Sequence, residues 1–144
     1  MELKKVVIGC DHAGYEMKEH IKKHFSDIFE FTDKGTFSVD SVDYPDFAHA
    51  VAHAVENGEF EKGILLCGSA NGIAITANKH KGVRAAICWL PEIAKLARQH
   101  NNANIACIPA RFINDKTAFE IITNFFNTAF EGGRHLKRVE KMEC

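Results

Sequence analysis

The chain has 144 residues, 46% of them hydrophobic, and its 18 Lys and Arg nearly balance 19 Asp and Glu for a formal charge of −1. That length suits one ordinary domain spanning residues 1–144, and the near-neutral balance removes the basic field that would make nucleic acid the leading partner. No apolar stretch approaches the ~20 residues needed to cross a bilayer, so no membrane partner and a cytoplasmic enzyme or binding protein are expected.

Val6-Val7-Ile8 reads as a first strand, and Asp11-His12-Ala13-Gly14 follows it directly at the start of a helix. Asp in that position can cap backbone amides or bind hydroxyls, while His can bind anions. Met17, Ile21 and Phe25 then repeat at helical spacing, and Ile28 to Thr32 reads as a second strand. The longest irregular piece runs from Lys34-Gly35 to Tyr44-Pro45-Asp46, long enough to contribute to a site. Pro45 is expected to end an extended approach, with Asp46 capping a helix marked by Phe47, Val51 and Val55. On that helix His49 and His53 have the i,i+4 spacing that zinc sites use. With no third ligand nearby in sequence, they read as surface or partly buried histidines.

Ile64-Leu65-Leu66 forms a third apolar run and ends at Cys67, directly before the small-residue loop Gly68-Ser69-Ala70-Asn71-Gly72. Several backbone N–H groups can converge in such a loop and favour a phosphate or a developing oxyanion. A thiol beside it can act as a nucleophile or a proton-abstracting base, provided that it ionises. Val83 to Cys88 and Ile105 to Ile108 complete five strands, separated by a helix that ends at His100-Asn101-Asn102. Phe119, Ile122 and Phe126 mark a further helix, and Glu131-Gly132-Gly133 stops the chain before a short final one. There Arg134 and Arg138 are spaced i,i+4, so both guanidinium groups share a face suited to phosphate oxygens or to solvent.

This alternation of strands and helices predicts a parallel sheet covered by helices. Ligands of such sheets sit beyond the carboxyl ends of the strands, so Asp11-His12, the loop after Cys67 and His100-Asn101-Asn102 are expected to share one rim. The five cysteines, Cys10, Cys67, Cys88, Cys107 and Cys144, contain no C-x-x-C pair, and their odd number argues against a complete disulfide framework. Reduced thiols, mostly acting as small buried hydrophobes, are expected.

Gly9-Cys10-Asp11-His12-Ala13-Gly14, Asp33-Lys34-Gly35-Thr36, Asp43-Tyr44-Pro45, Gly63 to Ser69, Ala77-Asn78-Lys79, Arg98-Gln99-His100-Asn101, and Glu131 to His135 followed by Arg138-Val139 occur in order along nearly the whole chain. Together they resemble ribose-5-phosphate isomerase type B. The resemblance implies a Rossmann-like three-layer α/β/α sandwich with a mainly parallel five-stranded sheet and a C-terminal helical tail. It also implies metal-free, cofactor-free interconversion of ribose 5-phosphate and ribulose 5-phosphate through a cis-enediolate. The expected partners are a phosphosugar and a second copy of the chain, in a homodimer whose sites draw on both subunits, with tetramers left open.

Carried over by position, Cys67 resembles the base that moves a proton between adjacent carbons, and Gly68, Ala70, Asn71 and Gly72 the loop that binds the enediolate oxygen. Ser69 stands where the family commonly has Thr and can bond the thiol or the intermediate. Asp11 and His100 resemble the groups that handle ring hydroxyls, His100 assisting ring opening, and Tyr44 and Asn101 resemble substrate contacts. His12, Arg111, Arg134 and Arg138 resemble the phosphate-binding set, with His100, Asn101 and Arg111 expected from the partner subunit. Ala70 replaces a usual glycine. A second branch of the family places a Glu base just after the loop, where this chain has Ile73, which cannot transfer a proton.

The same site pattern serves related galactose-6-phosphate and allose-6-phosphate isomerases, which leaves six-carbon phosphosugars as an alternative. Two other classes also remain open. A flavodoxin-like nucleotide-binding module is opposed by the lack of G-x-G-x-x-G after the first strand. A nucleophilic or redox role for Cys67 lacks a resolving C-x-x-C partner, although a Cys–His pair is compatible with the sequence.

Overall fold

A computed structural model describes residues 2–143, so Met1 and Cys144 lie outside the described residues. Five strands form one sheet: β1 Lys4–Cys10, β2 Phe29–Asp33, β3 Gly63–Cys67, β4 Ala85–Ile87 and β5 Ile105–Pro109. Their order is β2-β1-β3-β5-β4 and every pairing is parallel. The helices are α1 Tyr15–His24, α2 Tyr44–Glu56, α3 Asn71–Ala77, α4 Pro91–Asn101, α5 Asp115–Asn127 and α6 Arg134–Glu140. No helix among the described residues is long and apolar enough to cross a membrane.

β1, β3 and β5 occupy the middle of the sheet, and their apolar residues are buried on both faces, which is why those segments read as continuous apolar runs. One face packs Ile8, Leu66 and Ile108 against α1, α4 and α5 through Ile21, Ala94, Ile122 and Phe125. The other packs Val7, Leu65 and Ile105 against α2 and α3 through Val51, Ala52 and Ile73. Met17, Ile21 and Phe25, and Val51 and Val55, face these cores as their spacing requires, whereas Phe47 and Phe119 are only partly buried.

The start of α2 departs from expectation. Asp43, not Asp46, occupies its N-cap position in extended conformation, and Pro45 sits in the first helical turn. Proline is favoured there because the first-turn amides lack intrahelical acceptors in any case. Between His12 and Gly14 the chain makes a single 3-10 turn that lies close against β3. A Cβ on Gly14 would come within 2.7 Å of Leu66 Cβ, so only glycine lets this turn sit so near the end of the strand.

The long segment after β2 is tied down by a buried cation. Lys18 Nζ donates to Asp33 Oδ1 at 2.8 Å and to the Thr36 carbonyl at 2.5 Å, with its side chain 0% exposed. Lys22 Nζ reaches the other Asp33 oxygen at 2.9 Å, and the Gly35 N–H donates to Oδ1 at 2.8 Å. Burial pushes the Asp33 carboxyl upward, but the hydrogen bonds from Lys18, Lys22 and Gly35 outweigh it and hold the group below its ordinary range.

A depressed carboxyl contributes stability above its unfolded pKa, about 3.9, and that contribution is lost as pH falls through the lower folded value. Urea unfolding of the wild type is therefore expected to weaken with acidification below pH ~4, and Asp33→Asn to flatten that dependence. Lys18→Met should destabilise at neutral pH by about 3 kcal/mol, since it removes the buried cation and leaves Asp33 with Lys22 and the Gly35 N–H alone.

Candidate active site

The carboxyl edge of the sheet gathers one group of the expected residues. Cys67 ends β3, buried to 6% exposure, and the chain turns there through Gly68 and Ser69 into Ala70, the residue before α3. Ala70 has φ 68° and ψ −3°, the left-handed region that the family's usual glycine enters freely. Its backbone is strained for an L-residue, yet its side chain is fully buried among Val51, Ile73 and their neighbours, which anchors the turn. Ser69 Oγ accepts from the Asn71 N–H at 3.3 Å, while Ser69 and Asn71 themselves are exposed.

The turn makes a polar pocket for sulfur. Burial pushes the Cys67 thiol above the ordinary cysteine range, while the backbone N–H groups of Ala70, Ile73 and Ser69 pull toward the thiolate and the Asp11 carboxylate pushes against it. The resting thiol of the isolated chain is thus protonated at neutral pH. Ile73 is completely buried in α3 and contributes only its backbone to this arrangement.

Asp11 approaches from β1. Its N–H donates to the Leu66 carbonyl at 3.2 Å, and its Oδ1 accepts from Ala13 at 2.9 Å and Gly14 at 3.2 Å. The carboxylate therefore does cap the following turn, and that cap holds it near Cys67. His12 Nδ1 accepts from the Val42 N–H at 3.2 Å, which ties the long segment to the same edge. The Tyr44 ring covers Gly72 so closely that a Cβ there would lie 2.3 Å from the ring.

Arg111 lies beside this loop in its own chain. β5 pairs Pro109 with Cys67, and the Arg111 N–H donates to the Gly68 carbonyl at 3.1 Å. Its guanidinium lies 3.3 Å from where a Gly68 Cβ would stand. Beside the loop opens a cleft of about 660 Å³ whose lining includes Ser69, Asn71, Trp89, Leu90, Phe112 and Asn114.

His100, Asn101, Arg134 and Arg138 do not join this rim. α4 runs from the carboxyl edge back to the amino edge, where Asn102 turns the chain with φ 49° toward Ile105, the partner of Gly63 at the opposite end of β3 from Cys67. α6 packs at the same amino edge. The Glu131 N–H donates to the Gln99 carbonyl at 3.1 Å, and His135 stacks on His100 with ring centroids 4.3 Å apart. His100 Nε2 and His135 Nε2 lie 3.9 Å and 3.6 Å from Glu131 Oε1. Desolvation, then the neighbouring His100 and Arg134, hold His135 below the ordinary histidine range. Arg134 and Arg138 are exposed on α6.

Glu131 and His135 were visible only as parts of a sequence motif. Their i,i+4 spacing across a Gly-Gly break gave no helical reason to pair them, and the bend at Gly132 and Gly133 brings both to His100. His100, Glu131 and His135 are also spaced closely enough to hold a metal ion, whereas Cys67 belongs to neither such group among the described residues.

The sequence profile of the family described as Ribose/Galactose Isomerase matches residues 6–142. Ribose-5-phosphate isomerase B of Escherichia coli strain K12 is 43% identical over 139 residues, covering 96% of this chain and 93% of that protein. The crystal structure of a ribose 5-phosphate isomerase from Thermotoga maritima superposes with TM-score 0.96 at 45% identity, covering 99% of each chain. Ribose-5-phosphate isomerase B from Mycoplasma genitalium with bound ribulose-5-phosphate superposes with TM-score 0.92 at 40% identity, covering 98% of this chain and 95% of that one.

Iodoacetamide labelling with peptide mapping should find Cys67 slower than a free thiol at pH 7, with a rate still rising above pH ~8.5, where a free cysteine levels off. Cys10 and Cys88, pushed up by burial to about 11 and about 12, should label more slowly still. Ala70→Gly relieves ~1–2 kcal/mol of backbone strain but loses a buried methyl worth ~0.8 kcal/mol and loosens the unfolded chain, so urea unfolding should move by less than about 1 kcal/mol. Ala70→Val, branched at a left-handed and fully buried position, should lose more than about 2 kcal/mol.

Proposed function

This chain belongs to the ribose/galactose isomerase family, and we propose that it interconverts ribose 5-phosphate and ribulose 5-phosphate with Cys67 as the proton-transferring base. One observation carries the assignment of the base. Cys67 is the group able to move a proton at the end of β3, held between the loop amides and Asp11 at the edge where parallel sheets bind ligands.

In the proposed reaction the furanose ring opens, Cys67 takes the proton from C2, and a cis-enediolate forms. Returning the proton to C1 gives the ketose. The backbone amides of Gly68 to Gly72 stabilise the enediolate oxygen, where each well-aimed donor is worth ~3 kcal/mol. Asp11 and Tyr44 hold sugar hydroxyls, while His12 and Arg111 attract the phosphate from the same edge.

A second copy of the chain completes the site. Within one chain His100, Asn101, Arg134 and Arg138 lie at the opposite edge from Cys67, so they serve this chemistry only by reaching the thiol of another subunit. The partner subunit's His100 then assists ring opening, the partner's Asn101 orients a hydroxyl, and its terminal arginines join the phosphate set. The exposed apolar groups Trp89, Leu90 and Phe112 beside the loop supply a surface for that partner to cover. Assembly also answers the ionisation problem, because added positive charge and closer hydrogen bonding draw the thiol down from its raised value. We read residues 1–144 as one isomerase domain with α6 as its tail, working in the cytoplasm, where its described cysteines, all free, stay reduced.

Turnover of ribose 5-phosphate in deuterated water should incorporate solvent deuterium, and Cys67→Ala should lose ~10²–10⁴-fold in kcat while remaining folded. Retained turnover in that variant excludes Cys67 as the base. Co-refolding equal amounts of Cys67→Ala and His100→Asn should restore about a quarter of wild-type activity, since half the dimers are mixed and each has one intact site. No recovery, with mixed dimers demonstrated by mass, would place both groups in one subunit's site. Allose 6-phosphate and galactose 6-phosphate, run in the same assay, should turn over more slowly than the pentose.

A further inference from the structure

Along α2, His49, His53 and Glu56 fall on one stripe, because steps of four and three residues return nearly to the same side of the helix. The turn after α3 lays His80 against that stripe. His80 Nδ1 lies 3.3 Å from Glu56 Oε1, and His53 Nδ1 lies 3.9 Å from the same oxygen. Ligand atoms of His53, Glu56 and His80 all lie within 4.8 Å of one another. Zinc bonds of ~2.0–2.1 Å in a tetrahedral site put neighbouring ligand atoms about 3.3 Å apart, so small side-chain rotations gather the three around one ion.

The far sides of the two rings are also held. His80 Nε2 is 2.7 Å from His49 Nδ1, and His53 Nε2 is 3.0 Å from Asn57 Nδ2. Metal-binding imidazoles commonly have the second nitrogen fixed in this way, which sets the ring and its tautomer. When His80 donates its Nε2–H to His49, its Nδ1 presents a lone pair toward Glu56. Turning the Asn57 amide over lets Oδ1 accept Nε2–H from His53, whose Nδ1 is then free in the same sense.

We propose that His53, Glu56 and His80 form a binding site for a divalent transition-metal ion such as Zn²⁺ or Co²⁺, with His49 and Asn57 as positioning residues. Water fills the remaining coordination; the neutral rings bind through their Nδ1 lone pairs, and only a ring that starts as imidazolium releases a proton to solvent as the metal binds. Side-chain exposures of 65% for His53, 30% for Glu56 and 16% for His80 give the ion a direct path from solvent.

Tag-free protein titrated with Co²⁺, followed by visible absorption and equilibrium dialysis, tests the assignment. One ion per chain is expected, without the intense thiolate charge-transfer band that cysteine ligation would produce. Glu56→Gln and His80→Asn, each verified as folded by circular dichroism, should weaken binding at least tenfold. His49→Ala should weaken it ~10-fold while keeping the form of the cobalt spectrum, as a positioning role requires. No binding by the wild type, unchanged binding in both ligand variants, a thiolate band, or loss confined to His135→Asn at the other histidine cluster would each overturn the proposal.

Discussion

In a parallel sheet every strand delivers the chain to the carboxyl edge, and the helix that follows must carry it back before the next strand can begin. Residues at a strand end and residues at the end of a crossover helix are therefore held at opposite edges, a strand length apart. Cys67 is of the first kind and His100 of the second, which no adjustment of local geometry can reverse. The fold of one chain keeps these two groups apart, so the proposed chemistry, which uses both, calls for a second chain.

At the carboxyl edge, burial and hydrogen bonding act in opposition on a single sulfur. Desolvation dominates in the isolated chain and keeps the thiol neutral, although the amides of Ala70, Ile73 and Ser69 already favour its anion. Positive charge added nearby would pull in the same direction as those amides, toward the thiolate. Ala70 bears the local strain of this geometry. Its methyl is packed into the α2–α3 core, so burial helps to offset the left-handed backbone that a glycine would enter without strain.

The buried Lys18 acts on the same site from a distance. By holding Asp33 and the Thr36 carbonyl it fixes where the long segment leaves β2, and His12 then fastens Val42 further along. Tyr44, two residues past Val42, lies over Gly72. Helical spacing gave Lys18 no special standing, because a lysine beside an apolar stripe ordinarily lies in solvent. Its burial is visible only when Asp33 and the Thr36 carbonyl are seen to converge on it.

Strand and helix identity, the apolar central strands and the thiol-plus-loop unit were legible in the sequence, because period, β-branching and glycine placement act over a few residues. Asp11, Cys67 and the loop were also placed correctly at one edge, since each directly follows a strand. The edge occupied by His100, the attachment of Arg111 to Gly68 in its own chain, and the meeting of His80 with Glu56 were decided by tertiary structure. Those relations depend on the direction of crossover helices and on contacts between segments remote in sequence. Local residue patterns determine what each segment can become, and only the packed chain determines which functional groups face one another.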